Sequence, residues 1–338
     1  MVNLVRPKIS IVVPVYKGEH TLGSLIDQIV EIKSDPKLLL HSLIHELILV
    51  CDEPIDCSEM IVQEFASKYS WIHHLSLAKN SGQHIATAVG ILNSSGDWIL
   101  TIDEDLQHPP KLAVEPFLYA LQYSLDIVYI KSKQDVHTMS WYRDLTSRIG
   151  KLSMRLFSSD DYSFVSSFRI IRAETARAIA LCIDANSYLD TALFAISSPM
   201  RRKPFYVHLT DRRSRGTSGY TFLKLLQHYS RLVFSIKPSL SRLVLSIIAI
   251  VWIPLIISLL TILIFALFDG VPEIARGWLS LFAVSISISI LLMIYVIYSI
   301  KLLSVLLYRS SGYPRFLHVD RSNDLSQYNL LLEVFGHL

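Results

Sequence analysis

The chain has 338 residues, room for about two domains of roughly 150 residues each. Hydrophobic residues make up 51% and charged residues only 18%, against roughly 25% charged in ordinary soluble domains, and mean hydropathy is +0.39. This excludes disorder and a purely soluble globule, and a net charge of only +3 excludes the broad basic field that nucleic acid would call for.

The apolar excess is concentrated after residue 242, and what precedes it reads as an ordinary α/β domain. Ile9–Val15 (ISIVVPV) is rich in β-branched residues and suits a buried parallel strand. Pro14 interrupts it and no small-residue cleavage site follows, so no signal peptide is expected. Thr21–Lys33 then places Leu22, Leu25, Ile26, Ile29 and Val30 at helical spacing. Leu47–Val50 predicts a strand, Ser58–Tyr69 a helix, His74–Leu77 a strand and Gly82–Leu92 a helix. Trp98–Ile102 predicts a fourth strand that ends directly in Asp103-Glu104-Asp105. This alternation predicts a doubly wound, mostly parallel sheet. Ligands bind beyond the carboxyl ends of such strands, where Asp52 and the Asp103/Asp105 pair both fall. Cys51, Cys57 and Cys182 lack C-x-x-C spacing and read as reduced thiols of a cytosol-facing domain.

From Tyr220 to Lys237 the apolar residues Phe222, Leu225, Leu226, Tyr229, Val233 and Ile236 share one helical face. Lys224, His228 and Arg231 lie on the other, which predicts a cationic helix in a membrane interface. Leu243–Phe268 and Trp278–Ile300 contain no charged residue, and each exceeds the roughly 20 apolar residues that cross a hydrocarbon core. With a short loop, Asp269–Gly277, between them they predict a transmembrane hairpin, kinked at Pro254. Lys237 and Arg242 precede it, and Lys301, Arg309 and Arg315 follow it. The positive-inside tendency therefore places the α/β domain and the tail in the cytoplasm of an integral membrane protein. The expected units are 1–218, 219–240, 241–307 and 308–338, with Leu330–Phe335 a short helix or strand returning to the domain. The pattern leaves a homo-oligomer open.

Asp103-Glu104-Asp105-Leu106-Gln107 is the strongest chemical signal. Acidic side chains at i and i+2 off a strand end point the same way and supply the hard oxygen ligands that Mg²⁺ or Mn²⁺ takes when it also holds a diphosphate. Read alone, the pair is equally a turn with two aspartates. It is preceded by Leu77-x-x-Asn80-x-Gly82-Gln83-His84-x-Ala86-x-x-x-Gly90 and by Gly96-Asp97. Together with Ile9–Tyr16 and the whole stretch Gly96–Pro110 (GDWILTIDEDLQHPP), this resembles the family-2 glycosyltransferases. The similarity is greatest to the branch of dolichol-phosphate mannosyltransferase and its bacterial polyprenyl-phosphate relatives, and covers roughly residues 8–310.

The resemblance implies a GT-A-like domain and a metal-dependent, inverting hexosyltransferase of cell wall biogenesis. Its donor would be a nucleotide-sugar and its acceptor a membrane polyprenyl phosphate or other lipid-linked acceptor. By the same resemblance Asp105 and Gln107 hold the metal, and Asp103 approaches the nucleotide. Pro14 and Tyr16 cradle base and ribose, with Asp52 recognising the base. Arg143 and Ser147 match the pair near the lipid phosphate, and Arg213, in a loop with Gly216, Ser218 and Tyr220, closes on the diphosphate. The sequence departs from the family pattern at Cys51 and Glu53-Pro54, where Asp and Gly-Ser are usual. It departs again at Lys17-Gly18, at Gly219, and at Ser167, where many members carry an aspartate considered as a base. A phosphomonoester, with its second pKa near ~6, is its own nucleophile, so Ser167 in the catalytic group is compatible with a phosphate acceptor. A sugar hydroxyl on a lipid-linked glycan is the alternative acceptor, and a catalytically silent scaffold the alternative class.

Overall fold

In the computed structural model, which describes residues 6–132, 164–183, 188–207, 252, 257, 273–310, 312 and 317–335, strand β1 (Ile9–Val15) is the pivot of the sheet. It lies between β2 (Ile44–Cys51) and β4 (Trp98–Thr101), parallel to both, and β3 (Ile72–Ser76) extends the parallel set beyond β2. On the far side of β4, β6 (Arg169–Arg172) runs antiparallel to β4 and to β5 (Ile127–Ser132). β7 (Arg202–Val207) pairs parallel with β5. The order is β3-β2-β1-β4-β6-β5-β7. The expected sheet is thus mixed rather than uniformly parallel at one side, through β6. Its core, Arg-Ile-Ile-Arg, is too short and lacks the alternation that would have marked a strand.

Period-2 alternation splits the core in two. Ile9, Ile11, Val13 and Val15 cluster with Leu22, Leu25, Ile26 and Ile29 of α1 (Leu22–Ser34), Val62 of α3 (Ser58–Lys68) and Phe117 of α5 (Val114–Gln122). Val12 faces the other way, with Ile48 and Val50, against Ala86 and Ile91 of α4 (Gln83–Leu92). A Cβ at Gly90 would meet Val12 Cγ1 at 2.4 Å, so glycine there lets α4 lie close on the sheet. A short helix α2 (Leu39–Leu43), absent from the expectation, leads into β2. Beyond β6 come α6 (Ala173–Ala180) and α7 (Leu189–Ile196) on the α4 face. Helices therefore cover both faces of the sheet.

Helix α8 runs unbroken from Glu273 to Ser310. It starts inside the expected hairpin loop and continues ten residues past the expected end at Ile300, because after Pro272 no proline interrupts the helix pattern. Among its described side chains Leu291, Leu292, Ile294, Tyr295 and Tyr298 are each more than half exposed. Over the described residues no helix is long and apolar enough to cross a membrane. The first expected span, 243–268, is described only at Trp252 and Ile257, both helical, and the expected interfacial helix lies outside the described residues. The tail returns as α9 (Asp324–Phe335), with Leu331 1% exposed in the α1–α5 core.

Candidate active site

β4 ends at Thr101, and in the turn that follows Leu106 takes a left-handed φ of +59°. Glu104 and Asp105 lie in that turn rather than in the extended geometry assumed from their spacing, yet with Asp103 they line one cleft of about 410 Å³ with Pro14, Tyr16, Asp52, Asn80, Gly82 and Gln83. It lies at the carboxyl ends of β1, β2 and β4, where the strand order turns back on itself.

The three carboxylates are used differently. Glu104 accepts the backbone N–H groups of Tyr16 and Lys17, each at 2.9 Å, and so ties the turn after β1 to the turn after β4. Asp103 accepts from the Gln83 side-chain amide on Oδ1 and from the Ser167 hydroxyl on Oδ2. Burial raises the Asp103 carboxyl above its ordinary range; the Ser167 bond pulls it down and the Asp105 charge pushes it further up. Burial likewise raises Glu104 against its two backbone bonds. Asp105 is exposed, accepts the Gln107 backbone N–H at 3.1 Å, and has no ion-pair partner among the described residues.

Asp52 forms the opposite wall, 3% exposed, with Oδ1 accepting from Ser81 N–H at 2.6 Å and Oδ2 from Gly82 N–H at 2.8 Å. Its carboxylate shapes the loop that opens α4, where Gly82 sits at φ +92°. Base recognition, the role its motif position implies, is not among these contacts. The neighbouring departure is explained: Glu53, where the family pattern has glycine, takes φ +51°, and its side chain accepts the Asn80 N–H at 2.8 Å. That bond offsets part of the cost of a left-handed non-glycine residue. Pro14 and Tyr16 line the cleft as expected residues of its first wall, Tyr16 38% exposed beneath the Lys17 ammonium at 5.6 Å.

A second pocket, about 170 Å³, shares Pro14, Gln83 and Asp103 with the cleft and is closed by His84, Thr87, Ser167, Arg169 and Asp190. Arg169 donates to Asp190 Oδ1, as does the Tyr129 hydroxyl at 3.1 Å. Burial works against the Arg169 charge, but Asp190, Tyr129 and Asp103 together outweigh it and the net displacement is upward. Burial, then the Asp190 charge, carries Tyr129 well above the ordinary phenol range. Glu104, Gln83 and Asp190 were not singled out by motif. Glu104 was legible only as part of an acidic run, Gln83 as a letter of the Gly-Gln-His segment, and Asp190 carried no signal.

The donor set fits a hard divalent cation. Asp105 presents an exposed carboxylate at the cleft and Gln107, exposed two residues on, a side-chain amide oxygen. Gln107 does not itself line the cleft, and Asp103 and Glu104 are already committed to hydrogen bonds. Arg143, Ser147 and Arg213 lie outside the described residues.

A mixed sheet with an acidic turn at its switch point, cleft alongside, defines a GT-A-like α/β domain. Mannosyl-3-phosphoglycerate synthase from Rubrobacter xylanophilus has this fold too, with a TM-score of 0.51 at 15% sequence identity, over 68% of this chain and 72% of that one. Residues 10–179 match glycosyl transferase family 2, and the chain belongs to that family. Among similar proteins, the undecaprenyl-phosphate 4-deoxy-4-formamido-L-arabinose transferase of Proteus mirabilis is 27% identical over 286 residues, 82% of each chain. The protein of the same description from Yersinia pestis is 29% identical over 223 residues, 65% of this chain and 64% of that protein.

Proposed function

We propose that this chain transfers a sugar, with inversion, from a nucleotide-sugar to a membrane polyprenyl phosphate at the cytoplasmic face. The observation that carries the reading is the cleft at the carboxyl ends of β1 and β4, walled by Asp103, Glu104 and Asp105, with Asp105 alone of the three left open. The acceptor class follows the printed descriptions of the relatives, which are undecaprenyl-phosphate transferases.

In this reading the nucleotide lies along Pro14 and Tyr16, on the turn that Glu104 holds in place. Asp105 with Gln107 would hold Mg²⁺ or Mn²⁺, which when bound offsets the negative charge of the departing diphosphate. Arg213 would add positive charge from its loop, and Arg143 with Ser147 would bind the acceptor phosphate. Ser167 hydrogen-bonds Asp103 and so would orient the carboxylate that approaches the nucleotide. No general base is required, since the acceptor phosphate is ionised at neutral pH. The uncharged run 278–300 inside α8, with its exposed apolar side chains, supports a membrane hairpin that keeps the cleft near headgroup level.

The test is transfer by the detergent-solubilised full chain. It is incubated with Mn²⁺, radiolabelled UDP-, GDP- and dTDP-sugars in turn, and undecaprenyl phosphate. Label that moves to the organic phase and is released by mild acid is the expected result. An acid-stable product would replace the phosphate acceptor by a sugar hydroxyl, and no transfer from any donor would overturn the reading.

A further inference from the structure

The second pocket has features that the nucleotide-binding cleft does not. At about 170 Å³ it has room for a single sugar ring but not for a nucleotide, and Asp103 is part of its lining. Its charged side chains among the described residues are Asp103, Arg169 and Asp190, two negative and one positive, with the positive one already paired to Asp190. Such a lining disfavours a phosphate or a carboxylated sugar and suits a neutral or amino-bearing one.

Asp190 is built to make one more hydrogen bond. Both of its protein donors, the Arg169 guanidinium and the Tyr129 hydroxyl, bind the same oxygen, Oδ1. Arg169 is 3% exposed and Tyr129 fully buried, so the two donors fix the plane of the carboxylate from below. Oδ2 receives no hydrogen bond from the described residues, while the Asp190 side chain keeps 15% of its surface exposed in the pocket wall. An ionised carboxylate only accepts, so the group that satisfies Oδ2 must bring an O–H or N–H.

We propose that Asp190 is a specificity-determining residue: its Oδ2 accepts a hydrogen bond from one hydroxyl or amino group of the transferred sugar, and the pocket excludes carboxylated sugars. The proposal rests on the glycosyltransferase reading above. A site that pairs a substrate hydroxyl with a buried polar group rejects the analogue lacking it, because the protein group is then left unpaired.

The experiment takes the full-length enzyme and whichever of UDP-glucose, UDP-galactose, UDP-N-acetylglucosamine and GDP-mannose, or other donor of the transfer screen, it turns over. Single-deoxy analogues of that sugar and UDP-glucuronic acid are then compared by kcat/KM. Wild type should lose about 100-fold or more with one particular deoxy analogue and should not use the uronic acid. Asp190→Asn should bring the loss on that same analogue to within about 10-fold. Calorimetric binding of the free nucleoside diphosphate should be unchanged in the variant, which separates a specificity effect from misfolding. Should Asp190→Asn fail to fold, Ser166→Phe fills the same pocket while keeping Asp190 and Arg169, at the cost of the Phe168 N–H bond to the Ser166 hydroxyl. It should leave nucleotide affinity intact while the full donor binds no better than the nucleotide alone. Equal use of all deoxy analogues by wild type, an unchanged preference in Asp190→Asn, or undiminished donor binding in Ser166→Phe would overturn the proposal while leaving glycosyl transfer standing. Absence of transfer from every donor would remove both.

Discussion

The two ends of β4 put the same residue types to opposite use. At its amino end the Arg172 guanidinium lies 4.4 Å from the Trp98 ring centroid and donates to Asp324 at 2.6 Å. Beside it Arg321 donates to both oxygens of Asp126, at 2.9 and 2.6 Å. Glu46, also at this end, accepts from Ser10 and twice from Ser95. Each of these carboxylates is matched within the protein, Glu46 through Oε1 and, at Oε2, by His73 Nε2 3.5 Å away. At the carboxyl end Glu104 and Asp103 are matched as well, but among the described residues Asp105 has no ion-pair partner and Asp190 Oδ2 receives no hydrogen bond. Matched acids hold the domain together and fasten the returning tail to it, whereas unmatched acids retain capacity for a ligand. The cleft end therefore gives up internal pairing that the other end exploits.

This contrast predicts mutations of different kind and size. The largest effect on activity should come from Asp105→Ala, which lowers transfer by roughly 10³-fold or more, a loss within the range seen for removal of groups that stabilise a developing charge, with no fall in Tm. Loss of stability with this variant would mean that Asp105 is a structural acid like Asp324. The largest effect on stability should come from Asp324→Ala. It removes the nearer of two carboxylates beside the buried Arg172, Asp126 remaining at 3.6 Å, and so costs about 1.5–3 kcal/mol, or roughly 3–12 °C in Tm for a domain of this size. Scanning calorimetry or denaturant melts check it, and an unchanged Tm would show the clasp to be dispensable. Ser167→Ala, which removes the hydroxyl that bonds Asp103 at the pocket wall, should lower kcat by only about 3–10-fold, within the value of one hydrogen bond. A loss equal to that of Asp105→Ala would place Ser167 among the reacting groups and undo the argument that no base is needed. The smallest effect concerns the thiols. Burial, then the charges of Glu59 and Glu104, push the Cys51 thiol up to about 12, so it stays protonated and unreactive near pH 8, while the exposed Cys57 is alkylated. Mass spectrometry of briefly alkylated native protein should find label on Cys57 and none on Cys51.

The position of the carboxyl-end cleft is legible in the sequence. A β-branched run ending in Asp103-Glu104-Asp105, with prolines soon after, marks a strand end and the turn where parallel sheets bind ligands. The division of labour among the three was not legible, because Glu104 and Asp103 are fixed by partners 88 and 64 residues away. The amino-end network was invisible for the same reason: Arg172 meets Asp324 across 152 residues and Arg321 meets Asp126 across 195. Four of the seven strands were placed within a few residues, since each is a compact apolar run. β6 was missed because its flanking arginines hide a buried pair, Ile170 and Ile171, and α2 because five residues carry too little helical periodicity. The tail's sequence fits either strand or helix; it returns as α9, with Leu331 in the core.

The most direct measurement is calorimetric binding of the donor nucleotide-sugar to the full chain, with and without Mn²⁺, in wild type and Asp105→Asn. The account predicts that Mn²⁺ strengthens binding by about 10-fold or more in wild type and that this gain disappears in the variant. Binding that ignores Mn²⁺, or a gain that survives in Asp105→Asn, would contradict it.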